Sequence, residues 1–239
     1  MPLKKDPPQN IAARAPIRSL AVSAALLAIA ALYVAFIVLD AFYAPLYHVS
    51  AMLKYMGVLF CFVLACLLRR SAYDEAAWKH LAAALGLTLV ADALLLFTPQ
   101  YLAGLLVFCA AHIVYIRRNN RRAARNAVMA IAAVAAAGCA FLPQAEGALG
   151  LPSYYFAAVV YAALILTNTA CAFFAKAPQK NRALMLWGMT LFLLCDVCVA
   201  LYQLLPPGGV TFRVAGVLMW VFYLPAQVLL ALSAARLDM

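Results

Sequence analysis

Stretches of apolar residues, separated by short polar connections, follow one another along the chain from residue 20 to residue 235. A transmembrane helix needs about 20 apolar residues, with roughly 17 as a practical minimum. Two of the stretches are short, which indicates a thin or tilted bundle. The pattern predicts an all-α membrane bundle of eight transmembrane helices, over residues 20–39, 51–68, 80–97, 101–116, 127–142, 153–174, 183–205 and 212–235.

The basic residues fall on alternate connections of this bundle. If the N-terminus lies in the cytoplasm, sixteen of the eighteen Lys and Arg residues lie on the inner side, and only Lys54 and Arg213 on the outer side. Short cytoplasmic loops carry such an excess of positive charge, and seven or nine spans would abolish the asymmetry. We therefore expect both termini in the cytoplasm, a disordered basic tail over residues 1–19 and one transmembrane domain over residues 20–236.

The composition narrows the class of protein further. With 69% hydrophobic and 11% charged residues, the chain does not resemble a soluble globular domain. The net charge of +10 lies in the connections, so nucleic acid is not the expected partner. The arginine cluster 117–125 flanks a span, and we expect it to contact anionic lipid headgroups. The short, alanine-rich chain is typical of a bacterial inner membrane protein.

No metal site or cofactor is predicted. All seven cysteines lie inside apolar segments and are interpreted as packing residues, and Cys195 and Cys198 around one aspartate are a weak metal signal. A zinc hydrolase needs about three converging ligands. His48 lies at the outer surface and His80 at the inner one, so a site with three histidines is excluded.

Two aspartates, Asp92 and Asp196, lie within predicted spans. An ionisable residue in hydrocarbon is costly and is a functional-site hypothesis by default. Estimated from the helical rise, these two residues, His112 and Tyr223 lie between roughly 9 and 16 Å below the outer ends of their spans. We expect one polar pocket to hold all four, with Asp92 and His112 on adjacent walls. The alternative is that the aspartates only hold neighbouring helices together.

A weak internal repeat surrounds the two aspartates. A Gly-x-Thr triplet precedes each of them, at residues 86–88 and 188–190, and an Ala-Gly pair follows in the next span, at residues 103–104 and 215–216. The spacing differs by two residues between the two copies. The repeat is compatible with two parallel four-helix halves.

The stretch from residue 92 to residue 115 combines these residues in a recognisable order: Asp92, Leu94, Pro99, Gly104, Phe108, His112 and Tyr115. This order resembles the signature of the YhhN-like lysoplasmalogenase family. Asp196 is similar to the second aspartate of that family, and Ala226-Gln227 after Tyr223 is similar to its last-span motif. Lys54 resembles a lysine that begins the second span. Small departures occur at three positions, Ala91, Cys195 and Tyr55, where the family commonly has Gly, Ser and Pro.

The resemblance implies hydrolysis of the vinyl ether bond of lysoplasmalogens, which are lysophospholipids, to a fatty aldehyde and glycerophospho-ethanolamine or -choline. This chemistry needs one protonated carboxyl group and one carboxylate, and two buried aspartates supply both. Asp92 and Asp196 would be this acid/base pair, with the individual roles open. The remaining residues would orient groups or contact substrate: His112, Tyr223, Gln227, Tyr115, Asn168 and Lys54.

The same residues leave a second function class open. A proton-coupled transporter or a lipid-binding membrane protein would also use buried aspartates, as proton relays or as partners of a cationic headgroup. A purely structural membrane protein is the third alternative. These classes differ in whether the solubilised protein releases aldehyde.

Overall fold

The structure is a computed structural model that describes residues 20–43, 46–130 and 154–236. Within this part of the chain it is helical and contains α1 (Leu20–Phe42), α2 (Tyr47–Leu67), α3 (Glu75–Phe97), α4 (Tyr101–Asn119), the described part of α5 (121–130), α6 (Tyr154–Phe173), α7 (Gln179–Leu204) and α8 (Val210–Leu232). Seven of these helices are long and apolar enough to cross a membrane, so the protein is a multi-pass membrane protein. Most of the predicted fifth span and the predicted tail lie outside the described residues.

The helices agree with seven predicted spans, and most of them extend beyond the predicted span at one end or more. α6 is the exception and lies within its predicted span. α3 begins at Glu75 rather than at residue 80, because Asp74 caps its first turn by accepting a hydrogen bond of 2.9 Å from the backbone N–H of Ala76. α4 continues to Asn119. Hydropathy identifies the part of a helix in hydrocarbon, whereas the helix itself continues into the headgroup region until a cap ends it.

Six helices form a ring. α2, α3, α4, α6, α7 and α8 each pack against the next, α8 closes the ring against α2, and α1 lies outside against α2 and α8. Large apolar side chains point away from the ring, for example Leu27, Val159 and Trp187. These are the residues that face lipid in a membrane bundle. We call the end of the ring that holds Phe97 and Tyr101 the outer end, after the predicted orientation.

α4 and α6 run parallel. His112 contacts Tyr161, and seven residues further along both helices Asn119 contacts Asn168. Successive helices α3 and α4 are instead joined by three residues and run antiparallel. A parallel arrangement of the fourth and sixth helices is what the predicted eight-span topology requires.

The inner end is tied together by buried side chains. Arg118 donates to the hydroxyl and carbonyl oxygens of Ser233, at 2.9 and 3.1 Å, and the Asn181 amide donates to the carbonyls of Ser233 and Ala235, at 3.0 and 2.6 Å. These bonds satisfy carbonyl groups at the end of α8 that have no helical partner. Within the 117–125 cluster, for which lipid contact is predicted, Arg118 is half-buried and bonds inside the bundle.

Close helix approaches hold the hairpins α3–α4 and α7–α8 together. A Cβ atom on Gly104 would lie 2.7 Å from the Leu95 side chain, and one on Gly188 would lie 2.9 Å from the Leu230 side chain. Small residues at such contacts let helix backbones approach each other in a membrane. The two hairpins thus use the same device at equivalent helix pairs.

Pro225 interrupts the hydrogen bonding of α8. Proline has no N–H, so the carbonyl of Val221 loses its usual helical donor. The hydroxyl of Tyr33, on α1, donates to this carbonyl at 3.1 Å. The contact satisfies a backbone group inside the membrane and fixes α1 against α8.

Candidate active site

The outer half of the ring encloses a cavity of about 430 Å³. Side chains from seven helices line it, among them both membrane aspartates and Tyr223. The exposed residues among its lining lie at the outer end: Tyr43, Tyr47, Gln203 and Arg213. The cavity therefore has its mouth at that end and becomes progressively more enclosed toward the middle of the bundle.

Asp92 forms one wall of the cavity. It lies on α3, five residues before the end of that helix at Phe97, and its side chain is 5% exposed. The hydroxyl of Tyr223, on α8, donates to Asp92 Oδ2 at 2.7 Å. The expected proximity of these two residues is confirmed by this contact.

Asp196 lies on α7 and accepts a hydrogen bond from a different tyrosine. The hydroxyl of Tyr161, on α6, donates to Asp196 Oδ2 at 2.9 Å. Asp196 is half-buried, whereas Asp92 is buried. The two carboxyl groups therefore have one tyrosine donor each and unequal access to the water of the cavity.

A hydrogen-bonded chain continues behind Tyr161. His112 Nε2 lies 3.3 Å from the Tyr161 hydroxyl, and the Asn168 amide nitrogen lies 3.1 Å from His112 Nδ1. Because the amide donates, Nδ1 is the acceptor, so the imidazole proton is on Nε2 and points to the Tyr161 oxygen. Every bond in the sequence Asn168, His112, Tyr161 thus donates toward Asp196.

Aromatic rings separate the two tyrosine–aspartate pairs. The Phe192 ring lies 5.3 Å from the Tyr223 ring and 5.0 Å from the His112 ring, between centroids. Phe108 packs edge-on against Phe192 and Tyr161, at 6.0 and 6.2 Å. These rings give the cavity an apolar floor, and the low dielectric of such surroundings strengthens the bonds from the two tyrosine hydroxyls to the carboxyl groups.

Lys54 faces the cavity and is paired there. Its Nζ lies 2.7 Å from Asp40 Oδ2, and the Ser50 hydroxyl donates to the other carboxylate oxygen of Asp40. The Lys54 ammonium also lies 5.0 Å from the centre of the Trp220 ring, a distance that suits a cation–π contact. Lys54 is 5% exposed, so its ammonium group lies inside the cavity and not at the surface of the bundle.

The structure relocates several predicted site residues. His112 is fully buried and does not line the cavity, so it is not on a wall beside Asp92 but behind Tyr161. Gln227 is also fully buried, and neither its side-chain nitrogen nor its oxygen has a hydrogen-bond partner among the described residues. It does not line the cavity, so the predicted contact with substrate is not made from there. Tyr115 lies beside the His112 ring, at 6.3 Å between centroids.

Three cavity residues were not predicted as part of the site. Tyr161 lies on the same face of α6 as Asn168, a helical stripe visible in the sequence that does not reveal which aspartate it reaches. Asp40 ends an apolar run and is indistinguishable by sequence from an interfacial charge. Arg213 is one of the two basic residues assigned to the outer side, and both of them line the cavity.

Comparison with known proteins assigns the chain to a family. No curated protein and no solved structure matches it. The model of the YhhN family matches residues 49–234, which include both aspartates, both tyrosines and Lys54. This match covers well over half of the chain and nearly all of the described helices. The chain therefore belongs to the YhhN family.

Proposed function

We propose that this protein hydrolyses the vinyl ether bond of lysoplasmalogens, with Asp92 and Asp196 as its catalytic pair, in a bacterial inner membrane. The observation that carries the proposal is the cavity: two carboxyl groups from different hairpins face one space inside a membrane bundle. A lipid with a polar end and a reactive bond next to it fits a cavity whose mouth is polar and whose floor is apolar. Family membership supports the same class of reaction.

The reaction needs two groups in different protonation states. A protonated carboxyl group transfers its proton to the outer alkene carbon, and the ether carbon becomes an oxocarbenium ion. A carboxylate stabilises this cation and accepts a proton from the water that adds to it, giving a hemiacetal. As the C–O bond between the hemiacetal carbon and glycerol breaks, the second carboxyl group gives its proton to the leaving oxygen, which becomes the glycerol hydroxyl group. The hemiacetal hydroxyl gives its proton to the first carboxylate and becomes the aldehyde oxygen, so both carboxyl groups return to their starting states.

The surroundings of the aspartates support an assignment of these roles. Asp196 ends a chain in which three successive donors point toward its carboxylate, and it reaches the water of the cavity. Hydrogen bonds to the charged form favour that form. Asp92 is more deeply buried, and the Tyr223 hydroxyl is the one hydrogen-bond donor to its carboxyl group among the described residues. In this mechanism Asp92 is the acid, and Asp196 is the carboxylate.

His112 acts indirectly, through Tyr161. It does not touch the cavity, so it is a positioning residue that fixes the Tyr161 hydroxyl toward Asp196. Asn168 fixes the imidazole in turn, by occupying Nδ1. Hydrogen bonds from residues behind a site fix the orientation of the side chains that line it, and His112 and Asn168 do this for Tyr161.

The decisive experiment measures fatty aldehyde release from lysoplasmenyl-ethanolamine by the purified protein in detergent. The wild type is expected to release aldehyde, and Asp92→Asn and Asp196→Asn are each expected to lose activity by roughly 10²–10⁴-fold, the usual contribution of a proton-transfer group. Full activity in either variant would sink the pair mechanism. A wild type that releases no aldehyde but takes up lipid into vesicles under a proton gradient would establish the transporter alternative instead.

A further inference from the structure

All described charged residues in the outer half of the bundle line the cavity: Asp40, Lys54, Asp92, Asp196 and Arg213. The aspartate pair accounts for two of them. The other three, which we call the mouth residues, have no role in the proton transfers: Asp40 and Arg213 lie near the outer ends of their helices, and the Lys54 ammonium group reaches Asp40 from deeper in the cavity. Charges on a membrane protein are costly away from water and mark sites of function. Their concentration in one cavity indicates a ligand with charge of its own.

Lys54 is held in place for such a ligand. It lies seven residues after the start of α2, roughly 10 Å below the outer end of that helix. Its salt bridge to Asp40, two residues before the end of α1, draws the ammonium group toward the mouth. An ammonium group has three N–H donors, so one bond to Asp40 leaves donors for a molecule in the cavity.

Arg213 is the second cation at the mouth. It lies on the first turn of α8, its side chain is exposed, and in the part of the chain that the structure describes it makes no ion pair with an acidic residue. A guanidinium group binds the oxygens of a phosphate through two parallel hydrogen bonds. The three mouth residues sum to a charge of +1, from two cations and Asp40, which complements the single charge of a phosphodiester.

We propose that the mouth of the cavity is a phosphate subsite, in which Arg213 and Lys54 bind the phosphodiester of a lysophospholipid and Asp40 positions Lys54. This inference rests on the proposed function for the identity of the lipid. It makes Arg213 and Lys54 specificity-determining residues that distinguish a phosphate-bearing ether lipid from an ether lipid without phosphate.

The depths of the residues fit this orientation of the lipid. Arg213 lies three residues below the outer end of α8, about 4.5 Å, whereas Asp92 and Asp196 lie five and eight residues below the outer ends of α3 and α7, about 7.5 and 12 Å. Five covalent bonds separate the phosphorus atom from the vinyl ether oxygen of the lipid. When the phosphate lies at the mouth, the vinyl ether bond of the lipid therefore lies at the level of the aspartates.

The test compares two substrates that share the vinyl ether and differ in the phosphate, lysoplasmenyl-ethanolamine and 1-alkenylglycerol. For Arg213→Gln, KM is expected to rise by about ten- to a hundredfold on the phospholipid, with kcat nearly unchanged, because a charge-assisted bond is lost from binding. On 1-alkenylglycerol neither constant should change. Arg182→Gln, an exposed arginine at the inner end, is the matched control and should behave as wild type on both substrates.

Lys54 requires a paired change, because its removal alone leaves the half-buried Asp40 carboxylate with the Ser50 hydroxyl but without a cation. The double variant Asp40→Asn with Lys54→Met removes both charges together. It is expected to raise KM for the phospholipid and to leave KM for 1-alkenylglycerol within about twofold, since only binding of the phosphate is removed. Adding Arg213→Gln to this variant should weaken discrimination further.

Equal rises of KM on both substrates, or no rise on either, would overturn the phosphate subsite and leave the proposed hydrolysis intact.

If the wild type hydrolyses neither substrate, the proposed function fails, and binding of a non-hydrolysable 1-alkyl lysophospholipid tests the phosphate subsite. The phosphate subsite is supported if the wild type binds the 1-alkyl lysophospholipid more tightly than 1-alkylglycerol and Arg213→Gln loses this difference. It is overturned if the wild type binds the two lipids equally. Inorganic phosphate as competitor separates the sources: displacement of the phospholipid at low phosphate concentration would contradict a lipid site.

Discussion

The hairpins α3–α4 and α7–α8 are built alike and surround their aspartates differently. Each contains a glycine that lets its two helices approach closely, and each contributes one carboxyl group to the cavity. Asp92 receives a hydroxyl from α8, the second helix of the other hairpin, whereas Asp196 receives one from α6. Among the described residues, only the Tyr161 hydroxyl has a chain of donors behind it, formed by His112 and Asn168. Similar halves thus produce two unlike carboxyl groups, which is what an acid and a base require.

The largest effects that test this comparison concern the carboxyl groups themselves. Removal of either side chain, in Asp92→Ala or Asp196→Ala, should reduce aldehyde release by roughly 10²–10⁴-fold. Added formate is expected to restore part of the activity of Asp196→Ala, because a small carboxylate can occupy the space left by a charge-stabilising group. It should not restore Asp92→Ala, which lacks a positioned proton donor. Rescue of both variants, or of Asp92→Ala alone, would contradict the assigned roles.

The next effect concerns the tyrosines and His112. Tyr161→Phe is expected to lower kcat by roughly 10- to 100-fold, since it removes a hydrogen bond to a charged group, worth about 1.5–3 kcal/mol. His112→Phe should lower kcat less. Because His112 acts through Tyr161, the double variant should be no worse than Tyr161→Phe alone. The control is His112→Phe combined with Tyr223→Phe, where the two losses should multiply. Multiplicative losses in the Tyr161 combination would show that His112 works independently.

A smaller effect tests the construction that the hairpins share. Gly104→Ala and Gly188→Ala should each lower the free energy of unfolding by about 1–3 kcal/mol, because the new Cβ atoms meet Leu95 and Leu230 at 2.7 and 2.9 Å. Gly86→Ala is the control, since its Cβ would meet only Phe62, at 3.7 Å. Thermal unfolding in detergent measures all three. Equal stabilities of the three variants would show that the close approaches are not needed.

The smallest effect concerns a feature that only the second hairpin has, Pro225 in α8. Tyr33→Phe leaves the Val221 carbonyl without a donor and should lower the free energy of unfolding by about 0.5–1.5 kcal/mol. Tyr55→Phe is the matched control, because the Tyr55 hydroxyl makes no hydrogen bond within the described residues and the Tyr55 ring packs on Phe97. Identical unfolding temperatures for the two variants would mean that water or lipid satisfies the carbonyl.

The sequence predicted where the helices lie along the chain better than it predicted which helices pack side by side. In hydrocarbon a chain can satisfy its backbone only as a helix, so long apolar runs determined seven of the described spans. Helical rise then placed Asp92 and Tyr223 at compatible depths, and they do meet. Depth does not say which helices lie side by side, so the contact of Tyr161 with Asp196 and the position of His112 behind it were missed. Lys54 points inward because of Asp40, which no spacing along the chain links to it.

The most direct test of the central claim is hydrolysis of lysoplasmenyl-ethanolamine in D₂O by the purified wild-type protein, with mass analysis of the aldehyde. Proton transfer from an exchangeable carboxyl group to the outer alkene carbon predicts one deuterium on the carbon next to the aldehyde group, and loss of this product in Asp92→Asn. Aldehyde without deuterium, or labelled aldehyde formed at the wild-type rate by Asp92→Asn, would contradict the mechanism.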